Sequence, residues 1–125
     1  MLFSVKELVR RNLPILAGLR PVRADDIKAG ARILMYSLRA EDGVGFGSMG
    51  ELHLYDPPIV RVGLLGFGSR LVECRMQKGG IHPSDEHEFI SLDEMLSDVC
   101  APKEGCWWMY IYLVKDEARK GSHER

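Results

Sequence analysis

Polar and apolar positions along this chain change period several times, and each change marks an element. Over Val5–Asn12 the apolar residues Val5, Leu8 and Val9 form one stripe while Lys6, Arg10 and Arg11 fall outside it, a pattern that predicts an amphipathic helix. Ser4 and Glu7 form a capping box at its start, Phe3 and Leu8 supply a hydrophobic staple, and Pro14 is expected to stop it. The same signature recurs at Ser91 and Glu94, flanked by Ile90 and Met95. There Leu92, Met95, Leu96 and Val99 fall at i, i+3, i+4 and i+7 and predict a second helix over Leu92–Val99. Helices this short are marginal alone in water, so each needs a surface to dock on.

That surface is read from four β-rich runs, Ala31–Leu38, Glu51–Tyr55, Ile59–Leu65 and Leu71–Met76, separated by Gly, Pro, Asp and Ser. The alternation in Val72-Glu73-Cys74-Arg75-Met76 puts Val72, Cys74 and Met76 on a buried face and Glu73 and Arg75 outside. Connections this short cannot hold crossover helices, which predicts antiparallel neighbours. The last run, Trp107–Val114, is apolar on both faces. Trp107, Met109, Ile111 and Leu113 line one, and Trp108, Tyr110, Tyr112 and Val114 line the other. Such a strand is either central and covered on each face, or it presents an aromatic strip to a partner.

The expected fold is α+β, a curved antiparallel sheet or small open barrel of about five strands with two short helices, in the order α-β-β-β-β-α-β. One domain over residues 1–114 is expected, followed by a polar tail, 115–125, that frays.

Composition adds little to the fold but narrows function. The chain has 125 residues, 46% hydrophobic and 28% charged, which suits one ordinary globular domain. Its net charge of −1 hides a division: residues 1–39 carry eight Lys/Arg against three Asp/Glu, a local +5, leaving −6 for the remainder. With an acidic second half, phosphate backbone is not the expected main partner. A weak nucleic-acid binder would have to use Arg10, Arg11, Arg20, Arg23, Lys28 and Arg32. Three cysteines, Cys74, Cys100 and Cys106, form no disulfide framework; free thiols and a cytoplasmic location are expected. No apolar run approaches the roughly 18 residues of a membrane span.

The chemical candidates are few. Gly45-Phe46-Gly47-Ser48-Met49-Gly50 spells G-x-G-x-x-G, but only Glu51–Asp56 precede Pro57-Pro58, so no crossover helix follows to receive a dinucleotide. No cofactor is expected there. The glycines instead suggest a loop whose lip carries Phe46 and Met49, two apolar side chains with no evident core to fill. His82-Pro83-Ser84-Asp85-Glu86-His87-Glu88 is the richest titratable stretch and reads as a loop. Acid–base chemistry would draw on His82, Asp85 and His87, with His53 from a neighbouring strand. Metal binding is not expected, because His82 and His87 are not on one helix face and Cys100-x₅-Cys106 is wider than a zinc hook.

No P-loop and no nucleophile elbow occurs. The favoured expectation is a small interaction or ligand-binding module that self-associates or takes a protein partner, with a small-molecule ligand as a further option. Phe46, Met49, Trp108, Tyr110 and Tyr112 are its contact residues. The alternative class is a small enzyme built on the histidine cluster.

Overall fold

A computed structural model describes residues 2–43, 46–62, 70–79, 84–102 and 105–116. The elements run β1 (Phe3–Ser4), α1 (Val5–Arg11), α2 (Leu13–Leu16), β2 (Leu19–Pro21), a 3-10 turn (Ala24–Asp26), β3 (Arg32–Arg39), β4 (Phe46–Leu54) and β5 (Val60–Val62). They continue with β6 (Arg70–Lys78), β7 (Ser84–Ser91), α3 (Leu92–Leu96), β8 (Val99–Cys100) and β9 (Trp108–Lys115). One sheet holds seven strands, β2-β9-β3-β4-β6 with β5 and β7 also on β6, and β1 and β8 form a separate pair. Every pairing is antiparallel.

β5 continues the line of β4. Leu54 faces Cys74 and Val60 faces Val72 on the same side of β6, and the stretch between them, which holds Pro57-Pro58, loops out of the ladder. Two prolines without N–H groups cannot serve a ladder, so the strand leaves and rejoins.

The α+β class and antiparallel sheet agree with the expectation; strand number and order differ. The sheet is open and larger than about five strands. β7 was the largest departure. The stretch carrying Asp85, Glu86, His87 and Glu88 is a strand paired along its whole length with β6, not a loop. As an edge strand it has no need of an apolar outer row, so its composition hides it. α1 ends at Arg11, before Pro14, as expected, but a second short helix follows at once: Pro14 lies in the first turn of α2, where its missing N–H has no helical partner to lose. α3 stops at Leu96 rather than Val99. Ser97 Oγ accepts from the Val99 N–H at 3.1 Å and donates to its carbonyl at 2.9 Å, a local alternative to another helical turn.

Two hydrophobic clusters lie on opposite faces of the sheet. Ile33, Met35, Leu52, Leu54, Val72, Cys74, Met76, Tyr112 and Val114 pack with Met95 of α3 on one. Leu38, Met109, Ile111 and Leu113 pack with Val5, Leu8 and Val9 of α1 and Leu16 of α2 on the other. The alternation read at Cys74 holds, and so does Ser4 as cap, accepting from the Glu7 N–H at 3.4 Å. Glu7 completes no box; its carboxylate pairs with Arg10 instead.

The glycine string is also not a loop over its described part, because Phe46–Gly50 opens β4. Register slips by one residue between Met35↔Gly50 and Tyr36↔Ser48, making Met49 the extra residue of a β-bulge. Met49 packs against the first cluster, so it does have a core to fill. At Gly50 a Cβ would stand 2.8 Å from the Gln77 carbonyl oxygen, a backbone approach only glycine permits. Gly43, at φ +65°, is more constrained still, since a Cβ there would meet Leu8 Cδ2 at 2.5 Å. Its carbonyl accepts from the buried Asn12 Nδ2 at 3.2 Å, which also donates to the Leu8 carbonyl at 2.8 Å.

Gly43 and Gly30 therefore separate two costs. Gly30 shares the left-handed backbone, at φ +69°, but has nothing within 4 Å of an added Cβ. Gly30→Ala is expected to cost about 1–2 kcal/mol, and Gly43→Ala about 2–4 kcal/mol because Leu8 must also move. Urea unfolding measures both; equal losses would contradict the tight seat of Gly43.

Candidate functional site

β9 changes character along its length. Ile111, Tyr112, Leu113 and Val114 are buried on both faces, as a central strand requires, while Trp108 is 45% and Tyr110 37% exposed. Trp107, just before the strand, is 81% exposed. The strand is thus covered on both faces over one half, while Trp108 and Tyr110 stand partly exposed in the other.

Backbone pairing changes at the same place. β3 accompanies β9 from Trp108 to Leu113, but β2 covers only Leu113–Lys115. The Val22 N–H donates to the Tyr112 carbonyl at 3.4 Å and the Asp116 N–H to the Gly18 carbonyl at 2.8 Å, so the even-numbered residues of β9 direct their backbone groups toward β2. On the opposite side the Ala40 N–H donates to the Trp107 carbonyl at 2.7 Å, as the odd positions should. β2 ends at Pro21 and the chain turns away, so the N–H and C=O of Trp108 and Tyr110 face an edge where no strand of the described residues runs.

A cleft of about 360 Å³ lies along this edge. Trp107, Trp108, Tyr110 and Tyr112 line it from the strand, Glu94 and Met95 from α3, and Val99 and Cys100 from β8. Ser91, whose Oγ accepts from the Glu94 N–H at 3.2 Å, starts α3 at the point that brings Met95 into the core and leaves Glu94 on the rim. Burial raises the Tyr112 hydroxyl's pKa, with Glu94 adding to the effect, so Tyr112 stays a neutral phenol. Cys100 lies with its Sγ 3.8 Å from Met109 Sδ, and burial, then Asp98, pushes its thiol up. Cys106 is exposed at the cleft mouth. The Cys100 environment therefore does not favour a thiolate, and Cys74, pushed up to about 11 by burial, is a core thiol.

The titratable candidates assemble differently from the expectation. His82 lies outside the described residues. Asp85 and His87 share a face of β7, but Asp85 approaches Arg75 at 3.5 Å rather than the ring. The carboxylate beside His87 is Glu73, its Oε2 3.2 Å from Nε2, and Glu73 also bonds the Arg61 guanidinium. Glu73 is only 7% exposed, which corrects its expected place in solvent: Arg61 from β5 and His87 from β7 close over it. Tyr55 and Phe89 flank the His87 ring, with centroids 6.2 and 4.8 Å away. His53 stands opposite Arg75, which in turn stands opposite His87, so two strand spacings, about 10 Å, separate the imidazoles. The group is an ion-paired patch on a face of the sheet, and the described lining of the aromatic cleft does not include it.

Among the N-terminal cations, Arg10, Arg20, Arg32 and Arg39 are paired within the chain, Arg20 bidentately with Asp26 at 2.7 Å. Among the described residues no three His, Cys, Asp or Glu side chains converge as metal ligands, and no helix is long and apolar enough to cross a membrane. Of the expected contact residues, Trp108, Tyr110 and Tyr112 share the cleft, whereas Met49 sits in the bulge and Phe46 is the first residue of β4. Glu94 and the open backbone edge were not foreseen. The helix signature at Ser91 gave Glu94 a capping role, and nothing in spacing alone brings α3 against β9. Comparison with family models, curated proteins and solved structures finds no match.

The ion-paired carboxylates make acid stability a direct check. Arg61 holds the Glu73 carboxyl below its ordinary range, with burial opposing and His87 assisting, and Arg20 does the same for Asp26. A depressed folded pKa gives stability that is present at neutral pH and lost as pH falls below about 4. The urea midpoint should fall between pH 7 and 3, and Glu73→Gln should reduce that fall. An unchanged acid limb in the variant would remove Glu73 from the linkage.

Proposed function

We propose that the chain is an interaction module that takes an extended strand of a protein partner, a second copy of itself included, along the open edge of β9. One observation supports this reading: the backbone of Trp108 and Tyr110, unpaired on this side among the described residues, coincides with their exposed rings and with the cleft. Strand addition draws affinity from main-chain hydrogen bonds and specificity from side-chain pockets, and this edge offers both. The other long edge is guarded. β7 carries Asp85, Glu86 and Glu88, charges that discourage pairing, whereas the open part of β9 carries two aromatic rings and no charge. Trp and Tyr are also the residues that concentrate binding energy at interfaces. Free thiols at and beside the cleft suit a reducing compartment, which fits work in the cytoplasm.

Acid–base catalysis at His87 is a second reading, favoured by the Glu73 carboxylate at its Nε2. None of the main clefts lined by the described residues includes His87, so the module reading stands first.

Sedimentation across a concentration series tests the self-association arm. Trp108→Ala and Tyr110→Ala alter exposed positions and should each weaken association about ten-fold or more while leaving the thermal midpoint nearly unchanged. A strictly monomeric chain at millimolar concentration would end that arm, leaving only a foreign strand as partner.

A further inference from the structure

The lining of the cleft points to a chemical class of ligand. Trp107, Trp108, Tyr110 and Tyr112 supply aromatic surface, and among the described residues that line the cleft Glu94 is the single charged side chain, with no Lys, Arg or His. Trp108, Tyr110 and Tyr112 alternate along one face of β9, so their Cβ atoms follow one another at about 7 Å. A cation bound anywhere along such a row lies within reach of a ring, and the ring quadrupole attracts it within about 6 Å. Glu94 is exposed, forms no ion pair among the described residues, and lies near enough to Tyr112 to bear on its hydroxyl. The neighbouring Asp93, by contrast, is engaged by Arg70 at 2.7 Å.

We infer that this cleft receives an alkylammonium group, seated on the aromatic row and countered by Glu94, an inference that rests on reading the cleft as a binding site. Among the described lining residues an anionic ligand would find no positive side chain, and a neutral one would leave the Glu94 carboxylate without a counter-charge. The ammonium can arrive as a lysine side chain on an added strand or as a free quaternary amine. Both present an alkylammonium charge to the same wall.

The chain's two tryptophans both line the cleft, so their fluorescence reports on it directly. Four probes decide the matter: choline, its neutral isostere 3,3-dimethyl-1-butanol, and the blocked peptides Ala-Val-Lys-Val-Ala and Ala-Val-norleucine-Val-Ala. A saturable change with choline or with the lysine peptide, exceeding that of the neutral counterpart and weakened about ten-fold by Glu94→Gln or Trp108→Ala, is the expected result. Preference for the lysine peptide identifies a protein strand as the source, and response to choline alone identifies a free amine. Should the norleucine peptide bind as well as the lysine peptide and choline no better than its isostere, the ammonium inference falls while strand addition stands. No response to either cation also overturns the inference. Silence from all four probes removes the binding cleft with it.

Discussion

β9 is held on both faces and along both sides over only half its length, and most of the molecule follows from that. From Ile111 to Val114 it separates the two hydrophobic clusters, with α1 and α2 packed below and α3 above. Ile111 and Leu113 face one cluster and Tyr112 and Val114 the other, all of them buried. Full burial of side chains this size contributes about 1.5–3 kcal/mol each, so four consecutive residues make this the most heavily anchored piece of backbone. The helices are too short to persist alone and take their stability from this strand and its neighbours.

The anchoring stops where β2 stops. Pro21 lies opposite Leu113 and the chain then departs into the 3-10 turn, which the Arg20–Asp26 pair and the Arg23 N–H to Asp26 bond hold in place. The remaining part of β9 keeps β3 on one side and, among the described residues, has no strand on the other side of Trp108 and Tyr110. A rigid core strand therefore projects a short, well-positioned edge into a cleft walled by α3 and β8. Recognition built on such a segment needs little ordering of the protein before a ligand arrives.

How far this was legible depended on whether a residue's role is local. The cap at Ser91, the period-two pattern at Cys74 and the two-faced apolarity of Ile111–Val114 are local and read correctly. Glu73 did not, because its partners Arg61 and His87 come from other strands and only their convergence removes it from water. β7 is polar because one of its sides is a sheet edge, and polarity without period looks like a loop. The glycines are a sharper case: Gly50 is required by the Gln77 carbonyl and Met49 by a register slip against β3, both invisible before the strands are paired. At the cleft the aromatic residues were visible, but the open backbone beside them depends on where β2 ends, and β2 has too short a run to announce itself.

Backbone hydrogen exchange at β9 tests the account most directly, because amides in a paired strand are protected and those at an open edge are not. The Met109 and Ile111 N–H groups point to β3 and should exchange slowly, while the Tyr110 N–H, in the same strand, should exchange fast in the free chain and slow on addition of a bound strand. Protection of Tyr110 equal to that of Ile111 in the free monomer would mean that the edge is already occupied, and would contradict the account.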